Sequence, residues 1–262
     1  MPIYLVMIAI YNRLADRARW ELREWRTPSR SAFVQEELER ALLTETAWVA
    51  GERVLDVGCG RGVYSAAIRE KGARLVGIDL DPAALAAARA KGCPVAAATA
   101  ENLPVSSGAF DTILCYRTIY LFPNPTVIAA EFDRILRPGG RIIFSVTNYN
   151  SPQARIQKLA VRLSGNLAWG FGNSWGVRAW TRCFGRLGYE TRSMYSCNLV
   201  WPLVYRACDR WIIPNEWMRR YARWIRRVTS SPLRTDRPRS TAMNYIVELV
   251  KPPAPAVERS PA

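Results

Sequence analysis

Residues 54–62 read VLDVGCGRG, and no other stretch of the chain narrows its fold as far. The alternation of Val54, Leu55 and Val57 around Asp56 is that of a strand. Glycines at 58, 60 and 62 then let the backbone turn sharply and leave the main chain open to a ligand. The run passes straight into a helical pattern. A strand that ends in a glycine turn and opens a helix begins a nucleotide-binding βα unit. Asp56 narrows the ligand further. A dinucleotide sets its pyrophosphate at the helix N-terminus, where an acid would repel it. An acid there suits a ligand that carries an ammonium group and no phosphate.

The chain beyond this loop alternates in the same way. Short apolar runs predict strands at 53–57, 74–80, 95–99, 110–115 and 141–147, with helices at 63–71, 82–91 and 126–136 between them. Pro82 suits a first helical turn, where its missing donor costs nothing. The sequence RPGG at 137–140 ends the third helix and turns the chain into the next strand. Strands alternating with helices imply right-handed crossovers and a parallel sheet covered on both faces. Downstream, 177–187 reads as a helix, GYETRSMYSC as a strand, and 243–250 as a last strand. The organisation expected is an N-terminal helical cap over 1–50, one domain over 51–250 with insertions at about 151–176 and 201–240, and a disordered tail over 251–262.

The second strand ends GIDLDP, which places Asp79 at its carboxyl end, where a carboxylate accepts both hydroxyls of a ribose. Asp56 and Asp79 together describe a nucleoside attached to an amino acid. With VLDVGCGRG, VGIDLDP, TAENLPVSSGAFDTILC and ILRPGGRIIFS in this order and spacing, residues 53–147 resemble the core of a class I S-adenosylmethionine-dependent methyltransferase. The likeness is to the small-molecule type that includes the ubiquinone and menaquinone methyltransferases. It implies an α/β fold, a Rossmann-like seven-stranded sheet with an antiparallel last strand, and helical lid insertions after the fifth and sixth strands. It implies S-adenosyl-L-methionine as cofactor. By family position Asp56, Gly58, Cys59 and Gly60 line the methionine end, Asp79 holds the ribose and Leu80 packs on the adenine. Ala100 and Glu101 lie beside the adenine ring, Cys115 meets the cofactor through its backbone, and Tyr11 folds over it. The chain departs from the family at Thr99, where Asp is usual, and at Leu121, where the family often has His. It has no D/N-P-P-Y motif of the kind that serves methylation of an amide or nucleobase nitrogen.

Methyl transfer from a sulfonium needs alignment above all. The chain contains no histidine, so an imidazole base is excluded. The remaining levers are a carboxylate, a tyrosine, or a cation that lowers the acceptor's own pKa. Arg117, just past the fourth strand where the family's substrate pocket opens, is the candidate that stabilises a phenolate, enolate or carboxylate acceptor. Tyr116 and Tyr120 are secondary candidates. The six cysteines are scattered without a C-x-x-C pair, which argues against a metal site and for a reduced, cytoplasmic protein. The apolar start MPIYLVMIAIY is shorter than the roughly 20 residues that span a bilayer.

Charge is placed unevenly. Residues 1–140 carry 17 Lys+Arg against 16 Asp+Glu, whereas 141–240 carry 18 against 4 together with seven of the ten tryptophans. Within that segment WMRRYARWIRRV sets Trp217, Tyr221 and Trp224 on one helix face with arginines between them. As an insertion beside a substrate cleft it reads as a lid contacting an apolar substrate. It also suits an anionic membrane surface, which would place the protein peripherally on the inner membrane face. A nucleic-acid surface is the runner-up, and with it RNA methylation. The expected substrate is a lipophilic or anionic small molecule such as a quinone precursor, polyketide or lipid-linked sugar, methylated on O or C.

Overall fold

A computed structural model of the chain describes residues 43, 46–151, 155, 175–197 and 244–254. Its strands are β1 (Arg53–Val57), β2 (Arg74–Asp79), β3 (Val95–Ala97), β4 (Phe110–Cys115), β5 (Leu136–Thr147), β6 (Glu190–Cys197) and β7 (Asn244–Val250). The helices between them are α1 (Val63–Glu70), α2 (Pro82–Ala90), α3 (Pro125–Ile135) and α4 (Val177–Gly185). The strands form one seven-stranded sheet in the order β3-β2-β1-β4-β5-β7-β6. The first five pair in parallel, and β7 runs antiparallel between β5 and β6. The chain steps outward from β1 to β3, then returns to lay β4 on the other side of β1. That reversal opens a crevice at the carboxyl ends of β1 and β4, where ligands of open α/β sheets bind.

Strand alternation sorts the core into two faces. Leu55, Ile113, Ile142, Phe144 and Val247 pack on one side, against Ile128 and Phe132 of α3 and Trp180 and Phe184 of α4. Val54, Leu114, Ile143 and Ile246 pack on the other, with Ile68 of α1. Helix starts follow local chemistry. Asp81 accepts from the Ala83 N–H at 2.9 Å ahead of Pro82, and Asn124 accepts from Thr126 N–H at 3.0 Å ahead of Pro125.

The structure departs from the sequence expectations in two places. RPGG does not leave the sheet: β5 begins at Leu136, and its pairing to β4 shifts register between Phe110 and Thr112. The reason is long-range. Gly139 N–H donates to Pro252 O at 3.2 Å and Lys251 N–H to Gly140 O at 2.8 Å, so the residues after β7 hold this stretch extended. Lys251 and Pro252 therefore continue β7 along the start of β5, while 255–262 lie outside the described residues. β3 is shorter than expected, three residues at the exposed edge. Nearly all of the expected N-terminal cap, most of the insertion expected at about 151–176 and all of that at about 201–240 likewise lie outside the described residues.

Candidate cofactor and active site

The glycine loop after β1 is tied to the end of β2. Gly58 and Cys59 N–H both donate to Ile78 O, at 2.8 and 3.0 Å, and Gly60 N–H donates to Asp79 Oδ2 at 2.8 Å. Asp79 Oδ1 accepts from Leu80 N–H at 2.7 Å and Asp81 N–H at 3.0 Å. Three of the roughly four lone-pair positions on this carboxylate are thus spent on backbone, which fixes its orientation and leaves capacity for a hydroxyl donor. Gly60 sits at φ 53°, and a Cβ built there meets nothing within 4 Å. Glycine is needed at that position for its backbone angle, and the space over it is open. At Gly58, φ 74°, a Cβ would collide with the Thr118 side chain, whose hydroxyl lies 3.2 Å from Gly58 O. The absent side chain lets the loop after β4 close against the glycine loop.

Asp56 is 3% exposed and faces α1, where the fully buried Ser65 hydroxyl donates to its Oδ2 at 2.5 Å. Burial pushes the Asp56 carboxyl up to about 7, opposed by the Ser65 hydrogen bond and helped by the Asp79 charge. Burial, with the charges of Asp56 and Asp79, also pushes the Cys59 thiol up. Burial and Asp56 do the same to Cys115. Both thiols stay protonated, so what they offer a ligand is backbone and volume rather than a nucleophile.

The acceptor side is built on β4 and β5. Cys115 and Tyr116 leave β4 on opposite faces. Cys115 enters the core beside Phe144, and Tyr116 packs edge-on against Tyr64 of α1 with ring centroids 4.3 Å apart. Arg117 is exposed and has φ 55°, the sole non-glycine with positive φ among the described residues. Its N–H donates to Ser145 Oγ at 2.6 Å, which holds the strained turn from the neighbouring strand. Non-glycine residues in this region are held there by their surroundings and cluster at functional sites. Tyr120 follows, half-buried in a 3-10 turn at Ile119–Leu121. After β3, Ala100 is buried in the core and Glu101 is exposed.

The crevice thus gathers Asp56, Gly58, Cys59, Gly60, Asp79, Leu80 and Cys115 at adjoining strand ends, with Arg117 at the neighbouring turn. Tyr11, Trp217, Tyr221 and Trp224 lie outside the described residues. Sequence reasoning missed Ser65, Thr118 and Ser145. Ser65 had a signal: Gly62, Ser65 and Ile68 step by three along the buried side of α1, and a hydroxyl on that stripe needs a partner. Thr118 and Ser145 had none, because their partners come from distant segments.

Comparison with known proteins agrees with this geometry. Residues 55–144 match the family described as "Methyltransferase domain". The chain is 36% identical over 118 residues to the ubiquinone biosynthesis O-methyltransferase of Pseudomonas aeruginosa (strain UCBPP-PA14), covering 41% of this chain and 50% of that protein. The corresponding protein of Pseudomonas fluorescens (strain SBW25) gives the same figures, 36% over 118 residues. The chain spans about half the length of the curated relatives it matches. Among solved structures, a SAM-dependent methyltransferase from Thermotoga maritima superposes with a TM-score of 0.63 at 17% identity, over 93% of this chain and 98% of that one. The cyclase SpnF superposes with a TM-score of 0.56 at 19% identity, over 90% of this chain and 87% of its own. These structural likenesses establish the fold, and SpnF shows that the fold also hosts another chemistry. On the sequence match, residues 55–144 resemble a methyltransferase domain, and they lie on a Rossmann-like seven-stranded sheet.

Proposed function

We propose that this chain is an S-adenosylmethionine-dependent methyltransferase that methylates a lipophilic or anionic small molecule on oxygen or carbon. The observation that carries the reading is the crevice at the switch point. It joins an open glycine cradle at Gly60, an oriented carboxylate at Asp79 and a buried acid at Asp56 that has no basic partner among the described residues. That donor set fits a ligand with an ammonium group, a ribose and no phosphate. Asp56 would take the ammonium, Asp79 the ribose, and the Gly58–Gly60 backbone the stretch between them. Bound there, S-adenosylmethionine supplies a methyl group activated by a sulfonium.

The chain's part is alignment and charge. Thr118 packed on Gly58 fixes the acceptor loop relative to the cofactor loop. Arg117, held by Ser145, offers a guanidinium that stabilises a phenolate, enolate or carboxylate acceptor, which makes a protein base unnecessary. The relatives named for O-methylation in ubiquinone biosynthesis support oxygen as the methylated atom, with a quinone precursor foremost among the small molecules considered. The net positive segment 141–240, with its tryptophans, supports an added contact to anionic membrane. No helix among the described residues is long and apolar enough to cross one.

Two measurements test this. Titration calorimetry with S-adenosylhomocysteine should show binding to the wild type and its loss in Asp79→Ala. Label transfer from methyl-labelled S-adenosylmethionine should then be followed in lipid extracts and in tRNA. Arg117→Met should abolish transfer to the lipid fraction and leave S-adenosylhomocysteine binding unchanged; equal turnover would overturn the role given to Arg117. Vesicles with anionic lipid should sediment the protein less as salt rises. Labelled tRNA, with steeply salt-dependent tRNA binding and no vesicle binding, would replace the small-molecule reading with RNA methylation.

A further inference from the structure

Two acids are buried among the described residues, and they are treated differently. Glu248 lies 3.2 Å from the Arg141 guanidinium. Asp56 has no such partner among the described residues: the groups acting on it are the Ser65 hydroxyl and the Asp79 carboxylate. Among the described residues, the titratable groups whose charges couple to it are acids and thiols. Asp79 reaches it from the end of β2, Cys59 from the glycine loop and Cys115 from β4. From α1 comes only Ser65, fully buried, at 2.5 Å. A carboxylate so placed lacks the counter-charge that an ionised buried group requires.

We propose that Asp56 stands as a neutral buried acid oriented by Ser65, a positioning residue, and that it gives its proton to solvent when the cofactor's ammonium group arrives. The inference rests on the cofactor reading above and adds a proton to its stoichiometry. The step is balanced: the Asp56 O–H bond breaks, the proton goes to buffer, and the carboxylate left behind pairs with the ammonium. No electrons change hands. Ser65 orients the acid through Oδ2, and its hydrogen bond favours the ionised form, so it sets how readily the proton leaves.

The test is titration of S-adenosylhomocysteine into the full chain in buffers of differing ionisation enthalpy, which counts protons exchanged on binding. With the free-state value of about 7, the wild type should release about 0.9 proton per ligand at pH 6 and about a quarter at pH 7.5. Affinity should then tighten about eightfold between those pH values. Asp56→Asn should bind without releasing a proton and with flat pH dependence. Ser65→Ala should move the release profile to higher pH, and Ser65→Thr should move it back; far-UV circular dichroism establishes that each variant is folded. Binding with no proton exchange at pH 6 would overturn the inference and leave the cofactor reading standing. Absence of S-adenosylhomocysteine binding in the wild type would overturn both. A Ser65→Ala profile identical to wild type would remove Ser65 from the mechanism.

Discussion

Replacing Arg141 with methionine should cost more stability than any surface charge change. The Arg141 side chain is 10% exposed and lies between two acids, 2.9 Å from Glu52 and 3.2 Å from Glu248, whose side chains are 9% and 12% exposed. Its Nε donates to Thr112 Oγ1 at 2.9 Å, and its guanidinium carbon sits 5.5 Å from the centre of the Trp48 ring. Glu248 also accepts from the Ser193 hydroxyl at 3.0 Å, and Glu52 from Val49 N–H at 3.1 Å, so neither acid can swing away to water without giving up other bonds. A unit-charge pair near 3 Å is worth about 5 kcal/mol at an effective dielectric of about 20, and desolvation cancels much of that. Removing the cation restores none of the desolvation cost of the acids. Among the described residues Glu52 then keeps no counter-charge and Glu248 keeps only the exposed Arg192, 3.6 Å away, and loss of one buried partner typically costs about 3–5 kcal/mol.

The assay is denaturant unfolding at pH 7, followed by tryptophan fluorescence and far-UV circular dichroism. Arg141→Met should lower the unfolding free energy by about 3–5 kcal/mol. Combining it with Glu52→Gln and Glu248→Gln should recover most of the loss, because no unpaired charge is then left behind. A loss below about 1 kcal/mol, the worth of a surface ion pair, would refute the reasoning.

Arg117→Gly should stabilise the fold by about 1 kcal/mol, since glycine adopts φ 55° without strain. It should also abolish methyl transfer, and a thermal melt beside the label-transfer assay reads both effects. Asp111 predicts the acid limb of stability. The Arg53 side-chain hydrogen bond, opposed by burial and helped by the Arg53 N–H and the charges of Arg53 and Arg137, holds its carboxyl down at about 2. A carboxyl depressed in the folded state stabilises the protein above its ordinary value of 3.8, and that contribution is lost as pH falls toward about 2. Asp111→Asn should therefore be less stable at pH 7 and show a shallower fall between pH 4 and pH 2. An unchanged slope in acid unfolding would rule the pair out as its source.

Those parts of the molecule governed by neighbours in sequence were legible from sequence. Strand-glycine-helix at 53–70 follows from alternation and turn chemistry, and Asp81 and Asn124 cap helices through bonds that span two residues. Parts set by distant segments were not. The strand content of 136–140 depends on Lys251 and Pro252, more than a hundred residues away. That Tyr116 turns toward α1 follows only once the register of β4 is known, since a one-residue shift exchanges it with Cys115. Nothing in CYRTIY announces a left-handed Arg117, because that backbone is held by Ser145 on another strand. Sequence reasoning placed Asp56 near the carboxyl end of β1 by chain position. Its direction, under α1 and onto Ser65, needed the helix to be docked.

The two ends of the sheet make the argument for the ligand. At the amino-terminal half, buried acids are supplied with a buried arginine, and Glu52 and Glu248 with Arg141 and Arg192 close a charge-balanced cluster. At the carboxyl-terminal end, the same chain buries Asp56 with a serine and sets a second acid, Asp79, beside it. Scarcity of arginine cannot explain the difference, since basic residues exceed acids by fifteen over the chain. A buried acid without a cation lowers stability unless something else brings the charge. The cost is sustained at the switch-point crevice, under an open glycine cradle, where a ligand enters. No cation among the described residues meets Asp56, and on the reading proposed above the ligand brings one within its reach while a hydroxyl-bearing group reaches Asp79. An amino acid joined to a nucleoside meets both demands at once. A dinucleotide meets only the second.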